Sequence, residues 1–523
     1  MIPSFLPKKH TSALVPPPTS HMANVAIIGG GITGLGCANT LSKKGVSFTL
    51  FESSDSLGGH AHTYSDPQNR FPPVDLGFMV FNEPNYPNLI RLFEDLKVKT
   101  EPSDMSLSVS LGTGPNSNSN SKSNSRVEWS SESPSALLQP QLYPMFADMV
   151  RFNREAAKIL LLHSSDPRYN TTVSQFLREH GYSDSFSTFY LFPMCAALWS
   201  ADYDDLRDYP IREVVSFLCN HNMLQLCNRP QWLTVQNRSK SYVTALEANL
   251  GPDNVKKNCQ VSSVVSVATA TASSSERNLY QLFDSDQRSL GTFTDVVFCL
   301  PPSIAADMLT AHSPHAQPAT LLATLRNVQY NNSDIYVHSD VALMPQRRTN
   351  WASWNCIGSS GSRSSAKVTR GSMEGSESGF GGVCQDPPEG EGEGNNHMKI
   401  CFVTYWLNRL QTLKCDTNVF VSLNPHTPPP ASKTFTTWKA AHPSFTAKTL
   451  AAREEILKIQ GKNQIYFAGA WQGYGFHEDG LRAGLTVGCQ ILDRLDIVVD
   501  VDVRPLPPPS LGLATVARNK SWR

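Results

Sequence analysis

The chain has 523 residues with 45 basic and 45 acidic side chains, so its formal net charge is zero. That balance leaves no long-range field to draw in nucleic acid or an anionic membrane, and no zinc-type Cys/His spacing is present. The length allows two or three domains, or one large two-lobed enzyme. The 11 cysteines form no CxxC pair. With no secretory signal, that odd count fits a reduced intracellular protein, cytoplasmic or within a plastid or mitochondrion. The longest apolar run, 189–199, contains Pro193 and is too short to span a bilayer, which leaves at most transient contact with a membrane surface.

Residues 1–22 are rich in Pro, Ser and Thr and hold no acid. They read as a disordered extension, with an organelle-targeting segment as the alternative. The first patterned stretch is an apolar strand at 24–28, then Gly29-Gly30-Gly31-Ile32-Thr33-Gly34, a helix over 35–44, and a strand over 46–51 ending at Glu52. Gly29 permits a tight turn, Gly31 lets the backbone approach a pyrophosphate, and Gly34 lets helix and strand pack closely. The helix N-terminus offers unpaired N–H groups to phosphate, and Glu52 stands where an acid accepts ribose hydroxyls. The alternative, an ordinary βαβ turn, explains the glycines alone.

Two more glycine loops follow, Gly58-Gly59-His60 and Gly77-Phe78. Glycines soon after the acidic strand end mark FAD proteins of the glutathione-reductase type rather than simple NAD dehydrogenases. Helical periodicity covers 86–96 and 144–162, with Pro144 suited to a first helical position. Strand patterns cover 258–267, 295–300, 335–338 and 400–407. Low-complexity inserts at about 112–126, 267–277 and 358–396 read as surface loops. Near the end, a strand at 464–468 runs into Gly469-Ala470-Trp471, then Gly473-Tyr474-Gly475-Phe476-His477-Glu478-Asp479-Gly480 and a helix over 481–495. The tail, 504–523, reads as disordered. The expected fold is α/β. A discontinuous Rossmann lobe for FAD uses 23–80, 240–310 and 462–497. A second, α+β lobe for substrate, a mixed sheet with helices, uses 81–239 and 311–461.

These motifs resemble the FAD-dependent amine oxidase superfamily. Within it, the stretches VDLGFMVFNEPNYPNLIRLFEDLKV, RPQWLTVQNRSKSYV, HSDVALMPQRRTNWASWN and FAGAWQGYGFHEDGLRAG are similar to an NAD/FAD-binding branch. In plants, a domain of that branch is fused to cyclopropane fatty acid synthase. The resemblance implies FAD as cofactor, Val261 as the position whose backbone meets adenine, and a lipid methyltransferase as a partner. His60 stands where the superfamily usually has arginine, and Ala470-Trp471 follow Gly469 where it usually has Gly-Glu.

Flavin itself carries the redox step, so no triad is required. His477 is the candidate acid or base. The alternative is structural, with Asp479 capping the helix and His477 bracing the loop. Trp199, Trp354, Tyr405 and Trp406 are candidate walls of an apolar substrate tunnel, and Asn355 and Asn408 candidate contacts for a polar head group. No metal is expected. No second GxGxxG unit serves a nicotinamide; Gly379-Phe380-Gly381-Gly382 lies inside an insert. The expectation is an FAD-dependent oxidoreductase that removes hydride from a hydrophobic substrate such as an unsaturated acyl chain or lipid. The rivals are an amine oxidase yielding imine and peroxide, a redox-neutral flavin isomerase, and a flavin-bearing accessory subunit.

Overall fold

The computed structural model describes residues 23–112, 126–199, 203–225, 229–267, 278–310, 318–359 and 399–505. The expected N-terminal extension, the bulk of the three inserts and nearly all of the C-terminal tail lie outside the described residues.

The first strand, β1 (Asn24–Ile28), lies at the centre of a five-stranded parallel sheet. Its neighbours are β2 (Ser47–Phe51) and Asp295–Phe298, with Val255–Lys256 and Ile465–Phe467 at the edges. Both faces of β1 are covered, which is why its sequence is a continuous apolar run. Val25 and Ile27 face helices, while Ala26 and Ile28 face an antiparallel meander of Val261–Val267, Leu279–Asp284 and Ser289–Phe293.

On the helical face, α1 (Ile32–Ser42) crosses the C-terminal helix His477–Arg494 at very short range. The crossing is built on glycine. A Cβ on Gly484 would stand 2.0 Å from the Thr33 carbonyl oxygen, and one on Gly488 would stand 2.8 Å from Thr40 Cβ.

The second sheet is seven-stranded and mixed, in the order Thr434–Pro443, Tyr330–His338, Phe420–Leu423, Lys399–Trp406, Trp354–Ser359, Leu107–Gly112, Val127–Ser130. Only Trp354–Ser359 and Leu107–Gly112 run parallel among these neighbours. The helices Tyr143–Glu155, Phe192–Trp199 and Ile211–Asn220 pack on it in one large apolar cluster. Pro193 follows directly on a π-helical turn at Ser187–Leu191, and the Phe189 carbonyl four residues before it accepts from Trp129 Nε1 (2.9 Å) in place of the missing N–H.

A buried polar joint ties the segment after the glycine loops to the end of the helix Leu407–Leu410. Gln411 accepts from the Asp75 N–H (3.0 Å) and donates to the Asp75 carbonyl (2.8 Å), while Arg238 donates to the Gln411 carbonyl.

Several boundaries differ from expectation. The helix expected over 144–162 is α-helical only through Glu155 and tightens to a 3₁₀ helix at Ala156–Leu161. The C-terminal helix begins at His477, before Gly480, because that glycine lets it approach Ile32 and Thr33. The strand before it ends at Phe467, and Ala470–Gln472 forms a 3₁₀ turn.

Candidate active site

The C-terminal ends of the parallel strands open into a cavity of about 600 Å³ that reaches across to the second sheet. Gly29, Gly30, Gly31, Ile32, Thr33, Glu52, Gly58, Gly59, His60, Gly77, Phe78 and Val261 line one half. Gly29, Gly58 and Gly59 adopt positive φ of 110°, 118° and 56°, conformations that favour glycine. Gly31 is the cap residue of α1 and supplies no side-chain bond to the helix N–H groups, and a Cβ there would meet nothing within 4 Å. Open space thus lies directly over a helix N-terminus, the cradle that a pyrophosphate needs. The Gly58 N–H donates to the Gly30 carbonyl (2.9 Å), so the second glycine loop closes over the first.

Glu52 is fixed at this end. Its Oε2 accepts from the Gly30 N–H (2.8 Å), and its Oε1 accepts from the Ser54 N–H (2.9 Å) and hydroxyl (2.8 Å). These residues fit FAD, with Glu52 placed for the ribose and the glycine loops for the phosphates. When bound, FAD supplies the hydride-accepting chemistry.

The C-terminal loop supplies Gly469, Ala470, Tyr474, Gly475, Phe476 and His477 to the same cavity. Asp479 shapes that loop by reaching back, its Oδ2 accepting from the Tyr474 (2.9 Å) and Phe476 (3.0 Å) N–H groups. His477 stacks on Phe78 at 4.0 Å, and its Nε2 lies 2.5 Å from the Tyr242 hydroxyl. Burial, reinforced by His60, pushes its imidazole down to about 3, so it stands neutral.

Glu478 points away from the cavity and takes the Asn88 N–H (3.1 Å), the Asn88 side-chain amide (2.5 Å) and the Leu89 N–H (3.0 Å). It thereby caps the helix Pro87–Leu96. Burial outweighs those donors and raises its carboxyl to about 7.

The far half of the cavity is apolar, walled by Met105, Leu198, Trp199, Ile335, Trp354 and Tyr405 among others. Tyr405 and Trp354 meet edge to face at 4.7 Å, and Trp199 packs against Phe217 at 5.0 Å.

Six residues named from sequence do not line the cavity. Gly34 lies beneath the first turn, where a Cβ would strike the Gly29 carbonyl oxygen at 2.0 Å, and Gly480 serves the crossing with α1. Trp471 is turned by its 3₁₀ segment into the core with Ile465 and Phe467. Trp406, one residue beyond Tyr405 on a strand, faces the opposite side and packs on Trp351 and Phe420. Asn355 and Asn408 are spent on backbone groups of Ala352, Thr404, Thr417 and Val419.

Sequence reasoning missed Phe217, Tyr330, His442, Phe445 and Tyr474, all of which line the cavity. His442 ends a strand whose sequence, TFTTWKAAHP, is too polar to read as buried. Its ring lies 5.1 Å from that of His60, which belongs to the remote second glycine loop.

A glycine-cradled Rossmann site joined to an apolar chamber defines an FAD-dependent oxidoreductase. The sequence model of the flavin containing amine oxidoreductase family matches residues 32–492, and the chain belongs to that family. Among curated relatives, an FAD-dependent oxidoreductase, pigF, of Monascus ruber is 48% identical over 58 residues, 11% of this chain and 12% of its own length. A flavin-containing amine oxidase of Oncorhynchus mykiss is 38% identical over 77 residues, 15% of this chain and 14% of its own. The aligned stretches are therefore short on both sides.

Among solved structures, cyclohexylamine oxidase from Brevibacterium oxydans IH-35A superposes with a TM-score of 0.57 at 15% identity, covering 91% of this chain and 99% of that one. A fatty acid isomerase from P. acnes that produces CLA superposes at 0.56 and 12% identity, covering 90% and 98%. At such identities the likeness establishes the fold alone.

Proposed function

We propose that this enzyme uses FAD to remove hydride from a carbon of a neutral, hydrophobic substrate, with an unsaturated or modified acyl chain as the best-fitting class. One observation carries the reading. Among the described residues that line the cavity, Glu52 is the only acid and there is no Lys or Arg, and Glu52 sits at the glycine-loop end. A cationic amine in the apolar half would be buried without a counter-ion, at a cost of several kcal/mol, roughly, or would have to shed its proton first. A hydrocarbon chain pays no such cost.

In this reading segments 23–80, 240–310 and 462–497 serve FAD, and 81–239 and 311–461 serve the substrate. Trp199, Trp354 and Tyr405 are its walls. Solved proteins of this fold include an oxidase of a small amine and an isomerase of fatty acids, so the chamber wall rather than the fold must choose. The resemblance to the plant fusions adds a lipid methyltransferase as the partner class. The FAD-loaded protein, mixed anaerobically with methyl linoleate, putrescine or benzylamine, tests the reading. Bleaching of the flavin by the ester alone is expected; bleaching by an amine and not by the ester overturns it.

A further inference from the structure

We propose that His442 accepts the proton lost from the substrate carbon next to the one that gives up hydride. The inference rests on the preceding reading that a hydrocarbon segment is oxidised.

Three imidazoles line the cavity, and two of them are already committed. His477 is held between the Phe78 ring and the Tyr242 hydroxyl. His60 meets Trp438 edge-on and is turned toward the Ala441 carbonyl. His442 differs. Its Nδ1 is buried with no hydrogen-bond partner, and Nε2, which no hydrogen bond engages among the described residues, is the nitrogen left open to accept a proton. No three His, Cys, Asp or Glu side chains among the described residues group to hold a metal ion.

Its location matches the role. His442 lies at the end of Thr434–Pro443, opposite Asn331 on the adjoining strand. The next residues pack on the C-terminal loop: a Cβ on Gly475 would stand 3.1 Å from Pro443 Cγ and 3.2 Å from Phe445 Cζ. His442 therefore sits at the junction between the glycine-loop half and the apolar half. The titratable groups around it are His60 from the glycine loop, Tyr330 on the paired strand and Tyr474 on the C-terminal loop. None is an acid that would keep it charged. Burial, with His60 beside it, pushes its imidazole down to about 3, so the free enzyme holds it unprotonated but only weakly basic, and the geometry rather than this shift carries the assignment.

Converting H–C–C–H to C=C removes two hydrogens. One leaves as hydride with the bonding pair and reduces FAD; the other leaves as a proton to His442, and its bonding pair becomes the π bond. Oxidation of an amine makes no such demand, because its second proton leaves from nitrogen and exchanges with water.

The test uses the FAD-loaded wild type, His442→Gln and His442→Gly, with methyl linoleate under anaerobic stopped flow. In the wild type the ester bleaches the flavin. In His442→Gln the bleaching rate falls by about 10²–10⁴-fold, the range of general base catalysis. FAD affinity and the oxidised flavin spectrum stay as in wild type. Added imidazole restores part of the rate in His442→Gly, more at pH above the imidazole pKa. Bleaching of His442→Gln at the wild-type rate overturns the proposal. So does loss of FAD or a shifted spectrum in either variant, which would make His442 a cofactor contact. A slow His442→Gly that imidazole does not rescue overturns it in favour of a structural role. A wild type that the ester fails to bleach removes the substrate reading itself, and the proton acceptor with it.

Discussion

Gly31→Ala separates folding from cofactor binding more sharply than any other single change. Gly31 has φ −70° and ψ −179°, a conformation open to every L residue, and a Cβ there would meet nothing within 4 Å. Alanine therefore fits the apoprotein without strain, and by restricting the unfolded chain it leaves stability unchanged or raises it by up to about 1 kcal/mol. The space the methyl group enters is the space over the α1 N-terminus. A phosphate displaced from it loses one charge-assisted bond to a backbone N–H, worth about 1.5–3 kcal/mol. At about 1.4 kcal/mol per tenfold, the FAD dissociation constant should rise roughly 10- to 150-fold. Thermal unfolding of the FAD-free protein and a fluorescence titration with FAD supply the two numbers. An unchanged FAD affinity, or a clear drop in the stability of the apoprotein, would refute the placement of the pyrophosphate at Gly31.

Gly484→Ala should behave oppositely, because its Cβ would stand 2.0 Å from a backbone oxygen that cannot rotate away; a loss of about 1–3 kcal/mol or more by denaturant titration is expected together with weakened FAD binding. His477, held near 3 rather than its ordinary 6.5, contributes roughly 5 kcal/mol that is fully present above pH 6.5 and lost as pH falls toward 3. His477→Gln should flatten that acid limb of the stability profile. Glu478 titrates with the opposite sign: raised from 4.5 to about 7, it favours folding by roughly 3 kcal/mol below pH 4.5 and loses that as pH rises through 7. Glu478→Gln should therefore abolish the decline between pH 5 and 8, read by chemical denaturation. Trp354→Leu should weaken ester binding about tenfold or more in anaerobic titrations, whereas Trp406→Leu should lower thermal stability and leave bleaching unchanged.

The FAD half was legible because its signals are local. A strand buried on both faces must be apolar throughout, and a turn over a phosphate must use glycine at fixed offsets, so residues 24–52 spell out their own geometry. The apolar half is written in tertiary structure. Tyr405 and Trp406 look equivalent in sequence, and only the orientation of the strand decides that one lines the chamber and the other supports Trp351. Phe217 and His442 are brought together with the C-terminal loop by a helix and an edge strand from remote parts of the chain. Gly480 misled for a related reason. A glycine there reads as loop, yet the helix runs through it because the crossing with α1 needs a residue without a side chain.

The electrostatics of the two halves are linked. Superfamily members usually place arginine after the paired glycines; here His60 stands there, and burial lowers its basicity. The phosphate charge must then be met by backbone N–H groups at the head of α1 and in the glycine loops, which act only at short range. An ionised arginine would have spread its field through the low-dielectric cavity and drawn anionic substrates inward. With neutral imidazoles at His60 and His477 and no Lys or Arg on the described wall, the apolar half is left without a field of either sign. Such a chamber binds by area and shape. On the proposed reading it would admit a neutral hydrocarbon segment and exclude a charged head group, which would stay at the mouth or enter only when esterified.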